Sequence, residues 1–258
     1  MSETLILGDC LEKMKEIEDG SVDLTVTSPP YDNLREYMGY TFDFEGIAKE
    51  LYRVTKDGGV VVWVVGDETK DFCESLSSFR QAIFFNECGF NLLDTMIYLK
   101  RNVPPLYPDS KRYTQKFEYM FVFTKGKPKT FNPLIDKKNK YAGVIPNIGM
   151  RQKDGSIRKR VEQTEAVKDF GLRDNVWEYS TGGGNGTDHP AVFPSDLAKD
   201  HILSWSNVGD TVLDPFLGSG TTGIAAVGLD RRFIGIEISP EYFSIAKQRI
   251  EGAQLPLL

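Results

Sequence analysis

TVLDPFLGSGTTGIAAVGL, residues 211–229, decides the fold. TVLDPF is an apolar, β-branched run that reads as a strand, and GSGTTGIAAVGL then opens a helix. Between them Gly218, Gly220 and Gly223 keep the spacing G-x-G-x-x-G. Such a loop lets backbone approach a nucleotide closely, while an acid at the end of the next strand holds ribose hydroxyls. That next strand is RFIGIEI (232–238), and its Glu237 lies 19 residues after Gly218. The helix PEYFSIAKQRI follows, with Pro240 in its first turn.

The ligand is narrowed by Asp214, which stands just before the glycines. In a dinucleotide site this carboxylate would oppose a pyrophosphate. It suits a cationic group instead, such as the ammonium of a methionine moiety beside an adenosine. S-adenosylmethionine fits both ends of the loop, because it carries the ammonium and the ribose but no phosphate. A dehydrogenase is disfavoured by order as well, since no second βαβ half follows.

Working backward, the same alternation covers the first hundred residues. TLIL, VDLTV and VVVWVV read as strands, and LEKMKEI, EGIAKELYRV and SSFRQAIFFNECGF as helices; the DGG at 57–59 is expected to stop the second helix. NLLDTMIYLK and EYMFVFTK read as two further strands. From about 99 to 185 the pattern breaks up at NVPPLYP, KGKPK and KKNKYAG and ends in the glycine-rich connector STGGGNGTDHP. PSDLAKDHILSWS then reads as a helix capped by Ser195. Alternation on both sides of an irregular insert predicts an α/β fold: a Rossmann-like, mostly parallel sheet with helices on both faces.

Composition is that of a globular chain, with 40% hydrophobic and 26% charged residues, and no window reaches the roughly 18 apolar residues of a membrane span. The N-terminus has no secretion-signal pattern, and Cys10, Cys73 and Cys88 are odd in number and far apart, as in a reducing cytoplasm. These cysteines and the two histidines have no metal-ligand spacing, so no metal centre is expected. The net charge of −6 is unevenly spread: residues 99–173 hold 18 basic and 7 acidic residues, leaving 13 and 30 elsewhere. A basic middle in an acidic protein is a candidate polyanion surface.

One stretch is still unexplained. TSPPY, residues 27–31, ends the VDLTV strand on two prolines. Together with DPFLGSGTT (214–222) it resembles the signature pair of DNA amino-methyltransferases, which modify the exocyclic amines of cytosine (N4) or adenine (N6). The order, catalytic motif first and cofactor motif last, resembles the circularly permuted beta type of that family. GDC at 8–10, LYRVTKDGG at 51–59 and HPAVFP at 189–194 resemble further family elements. The resemblance implies S-adenosylmethionine as cofactor, held by Asp9 and Cys10, by His189, Pro190, Phe193 and Pro194, and by Asp214, Phe216, Gly218, Ser219, Gly220, Thr221, Thr222 and Glu237. It divides the chain into a catalytic half (1–98), a basic target-recognition region whose first residues complete the sheet (99–185) and a cofactor-binding half of the same domain (186–258).

The chemistry accounts for the motif. An amine conjugated with a base ring is a poor nucleophile, and two acceptors gripping its N–H groups would localise its lone pair. By resemblance these are the Ser28 side chain and the Pro29 carbonyl, with Pro29 and Pro30 fixing the turn near φ −65°. The target base must leave the duplex, and Tyr31 offers it a stacking face. Double-stranded DNA is the implied partner, with Lys100, Arg101, Lys111, Arg112, Arg151, Arg158, Lys159 and Arg160 as candidate phosphate contacts. Family members often pair as homodimers and accompany a restriction endonuclease; neither partner is legible in the residues. Serine in the first place of the motif leans toward cytosine-N4, with adenine-N6, RNA or protein methylation and a silent DNA-binding module as alternatives.

Overall fold

The computed structural model describes residues 3–30, 42–106, 111–145, 150–158, 165–180 and 194–254. It divides into two compact units, residues 1–132 with 175–258, and residues 133–174. Eight strands of the first unit form one sheet: β1 (Glu3–Leu7), β2 (Val22–Thr27), β3 (Thr55–Val65), β4 (Asn91–Lys100), β5 (Phe117–Thr124), β6 (Val176–Tyr179), β7 (Thr211–Asp214) and β8 (Arg232–Glu237). Their order across the sheet is β1-β8-β7-β2-β3-β5-β4-β6. Only β5 runs against the others. The mostly parallel α/β fold read from the sequence is therefore what forms.

Helices follow the strands as crossovers: α1 (Cys10–Met14), α2 (Phe44–Val54), α3 (Ser77–Glu87), α4 (Ser195–Trp205), α5 (Thr221–Gly228) and α6 (Pro240–Gln254). Successive strand residues point to opposite faces, which sorts the helices. Val61, Trp63, Val65, Phe121 and Phe123 pack with residues of α1 to α3, and the Trp63 indole donates to Gln81 of α3 at 2.8 Å. Met120, on the opposite face, meets His201 of α4, and α4, α5 and α6 lie side by side. The run VVVWVV is fully buried because both faces are covered.

Three local expectations change. The helix α2 ends at Val54, before the DGG, because Thr55 turns extended and its hydroxyl caps Leu51 O at 2.6 Å. Asp57, Gly58 and Gly59 belong instead to β3, in the irregularity where Thr55 pairs with Val22 but Val60 already pairs with Leu24. Lys125 closes this corner by donating to the Tyr52 and Thr55 carbonyls at 2.9 and 3.0 Å. At α4, Ser195 is the first helical residue and Pro194 holds the cap position with no side-chain bond. Finally, Val176–Tyr179, read as part of the irregular stretch, is the edge strand beside β4; four residues are too few to display an alternation.

The second unit is built on two short antiparallel ladders, Lys137–Lys138 with Phe170–Gly171 and Met150–Arg151 with Ile157–Arg158. Arg173 donates through Nε to both Asp136 oxygens at 3.0 Å, and Lys137 pairs with Asp174 at 2.7 Å. No helix among the described residues is long and apolar enough to cross a membrane.

The third loop glycine serves packing. A Cβ on Gly223 would lie 2.4 Å from Ile250 Cδ1 of α6 and 2.7 Å from Phe233 of β8. Gly223→Ala is therefore expected to cost about 1–3 kcal/mol, read as a lower urea midpoint. Gly228→Ala, at the end of the same helix, meets nothing within 4 Å and is expected to leave stability unchanged or raise it by roughly 0.4–1 kcal/mol.

Candidate functional site

Five parallel strands end along one edge of the sheet, where α/β folds place ligands. β1 leads to Gly8–Asp9–Cys10, β8 ends at Glu237, β7 at Asp214, β2 at Thr27 followed by Ser28, and β3 is followed by Gly66 and Asp67. Because β8, β7, β2 and β3 are successive neighbours, residues from both ends of the chain meet here.

Asp214 is 1% exposed. Its Oδ1 accepts from the Thr27 hydroxyl at 2.6 Å and from Phe216 N at 3.1 Å. Burial pushes this carboxyl up to about 6, against the hydrogen bonds from Thr27 and Phe216 that favour its ionised form. Glu237 is also buried and raised by desolvation. Its Oε2 accepts from Gly218 N at 2.7 Å and its Oε1 from Ser239 N at 2.9 Å, so the acid anchors the first glycine of the loop. Gly218 and Gly220 sit at φ 51° and 85°, which lets the chain fold back so that Gly220 N donates to Leu217 O at 2.9 Å.

The loop rests on α6. A Cβ on Gly220 would press on Ala246 at 3.1 Å, and Arg249, one turn on, donates to the Ser219 carbonyl. Ser219, Thr221 and Thr222 are buried, and the Thr222 hydroxyl donates to Val26 O of β2 at 3.3 Å. Phe216 packs its ring 5.8 Å from Phe42 and 6.1 Å from Trp63. At the far side Asp9 caps α1 by accepting from Glu12 N at 3.2 Å. The Cys10 thiol is pushed up to about 12 by burial and by neighbouring Asp9, so it stays protonated.

Ser28 is half-buried, Pro29 buried and Pro30 half-buried directly after Thr27. Pro194 is buried at the start of α4. Tyr31, His189, Pro190, Phe193, Lys159 and Arg160 lie outside the described residues, as do residues 181–190 of the glycine-rich connector. The structure thus gathers Asp9, Cys10, Ser28, Pro29, Pro30 and the residues from Asp214 to Thr222 with Glu237 along one edge.

The basic candidates are placed differently. Lys100 pairs with Glu118 at 2.5 Å, Arg101 with Glu178 at 3.5 Å, and Arg112 with Glu74 at 2.9 Å and the Thr69 hydroxyl. Lys111 lies over the Phe72 ring at 5.6 Å. Arg151 and Arg158 stand in the short second-unit ladder.

Three residues escape sequence reasoning: Thr27, Asp67 and Arg249. Asp67 accepts from the Ser75, Ser77 and Ser78 hydroxyls and from Ser78 N at 2.6–3.2 Å. Burial opposes its charge, but these bonds, led by Ser78, hold it below the usual carboxylate range. It caps α3 in place of Leu76, which has no side-chain cap bond. Its place after a long buried strand was a usable signal; Arg249, on a helix surface, gave none.

The sequence matches the family described as DNA methylase over residues 22–248. The orphan methyltransferase M.BamHII of Bacillus amyloliquefaciens is 55% identical over 247 residues, 93% of this chain and 92% of that protein. TTHA0409 of Thermus thermophilus, solved in complex with S-adenosyl-L-methionine, is 26% identical with a TM-score of 0.66 and covers 100% of this chain and 98% of its own. PvuII DNA methyltransferase (cytosine-N4-specific) shares the fold, with a TM-score of 0.71, 22% identity and coverage of 96% and 86%.

Asp214 gives the site a pH signature. Its carboxyl ionises at 3.8 in the unfolded chain and at about 6 in the fold. The folded state therefore keeps the proton longer. Its contribution to stability is complete below pH 3.8 and is lost as pH rises through about 6, a difference of about 3 kcal/mol. Asp214→Asn, which retains an acceptor for Thr27, is expected to flatten this loss and to be more stable than the parent at pH 7–8 by up to about 3 kcal/mol. Denaturant unfolding measured from pH 4 to pH 8 checks the slope.

Proposed function

We propose that this chain, which belongs to the DNA methylase family, transfers a methyl group from S-adenosylmethionine to the N4 amine of cytosine in double-stranded DNA, in the cytoplasm. The observation that carries the reading is the 2.6 Å bond from Thr27 to Asp214. It joins the TSPP turn to the glycine loop across 187 residues, so an amine acceptor and a cation-accepting carboxylate share one strand edge.

The residues present suit this cofactor. Burial disfavours the charge of Asp214, with hydrogen bonds opposing that in part, and an ammonium against it would offset the desolvation. Glu237 has both oxygens oriented by backbone amides and keeps lone pairs for two ribose hydroxyls. Gly218 presents backbone without a side chain, and Gly220 lets the loop close on α6. When bound, S-adenosylmethionine supplies an electrophilic methyl on a sulfonium.

The chain's own part is to make the amine reactive. The Ser28 oxygen and the Pro29 carbonyl accept its two N–H groups and localise its lone pair, and Pro30 holds the turn so that no reorganisation accompanies attack. Tyr31 stacks on the flipped base, returning about 1–3 kcal/mol of the unstacking cost. Attack is direct, and protonated Cys10 takes no part in it. Phosphate contact is the role of Lys100, Arg101, Lys111, Arg112, Arg151, Arg158, Lys159 and Arg160, and Lys100, Arg101 and Arg112 would have to share it with carboxylate partners. Serine in the first place of SPPY supports cytosine.

Digestion of DNA methylated by the pure protein is expected to yield N4-methylcytosine; N6-methyladenine would assign the adenine amine instead. Ser28→Ala is expected to lower single-turnover methylation by about 10²-fold or more while calorimetry finds S-adenosylmethionine affinity within a few-fold of the parent. Unchanged turnover would remove Ser28 from the chemistry.

A further inference from the structure

The backbone ladder between β2 and β7 is short. Its pairs are Val212 with Leu24 and Leu213 with Thr25. Beyond them two hydroxyls make the join: Thr27 Oγ1 donates to Asp214 Oδ1 at 2.6 Å, and Thr222 Oγ1 donates to Val26 O at 3.3 Å. All four residues are buried, none more than 1% exposed. Asp214 precedes the glycine loop and Thr222 follows it, so both ends of the loop are pinned to the two residues before Ser28 and Pro29.

We propose that Thr27 and Thr222 are positioning residues that couple occupancy of the cofactor site to the geometry of the catalytic turn, so that cofactor and target DNA bind cooperatively through these two hydroxyls. The coupling has a physical route. A cation against Asp214 fixes the orientation of its carboxylate, and with it the oxygen that accepts from the Thr27 hydroxyl at 2.6 Å. Thr27 is therefore held more firmly when the site is filled. Ser28 is the next residue, and a close-packed interior transmits the change. The flipped base then meets acceptors already ordered, and its binding no longer has to order them. The inference rests on the cofactor reading above.

The test compares two ligands alone and together. S-adenosylhomocysteine keeps the ammonium and lacks the transferable methyl; the DNA is a duplex carrying the methylation site mapped from a plasmid made alongside the protein. For the parent, saturating S-adenosylhomocysteine is expected to raise duplex affinity by roughly 10-fold, within the ordinary range of coupling between sites. In Thr27→Val this ratio is expected to fall below about 2-fold, although each ligand alone still binds, and Thr27→Ser is expected to restore it. A merely structural role for Thr27 would lower thermal stability and leave the ratio alone. A parent ratio near 1, or a Thr27→Val ratio equal to the parent's, overturns the coupling and leaves the cofactor reading standing. A parent that binds no S-adenosylhomocysteine by calorimetry overturns both. Should Thr27→Val fail to fold, Thr222→Val decides by the same ratio, with loss expected and retention contrary.

Discussion

A carboxylate that cannot reach water has to be satisfied by what surrounds it, and here two stand on neighbouring strand ends. Asp214 and Glu237 are both nearly sealed from solvent; burial raises the cost of each charge, and Glu237 adds to that of Asp214. Much of the local architecture answers this constraint. Backbone amides of Gly218 and Ser239 turn toward Glu237, while Phe216 N and the Thr27 hydroxyl turn toward Asp214. The glycine loop is the short piece of chain that lies between the two acids and is held by both.

Much of this was legible in the residues, and the reasons are physical. A fully buried strand shows itself as a β-branched run, so VVVWVV and the sheet built on it could be read directly. The glycine spacing and the two strand-end acids read as a nucleotide loop, although packing against α6 also keeps Gly220 and Gly223 bare. Local punctuation proved less reliable. The DGG looks like a helix stop, yet the same glycines serve a strand irregularity equally well, and only the partner strand decides between them.

The parts that stayed hidden depend on neighbours far away in sequence. Thr27 differs from any strand threonine only because Asp214 happens to face it, and Asp67 caps a helix ten residues further on. The basic residues illustrate the converse. Lys100, Arg101 and Arg112 read as phosphate contacts on charge alone, but each has found a carboxylate within the protein. A count of charges cannot distinguish a cation kept for a ligand from one already paired.

The position of β2 also carries a consequence for how the protein is made. One of its edges is covered early, by β3, which is only some thirty residues behind it on the ribosome. The other edge waits for β7, whose Asp214 lies 187 residues after Thr27. At 5–20 residues per second that interval is roughly 10–40 s. Throughout it a valine-rich strand, buried in the finished sheet, presents open backbone groups to any other strand nearby. The same interleaving that brings distant motifs to one strand edge thus exposes every nascent copy to mispairing, and ties the completion of that edge to the last strands to emerge.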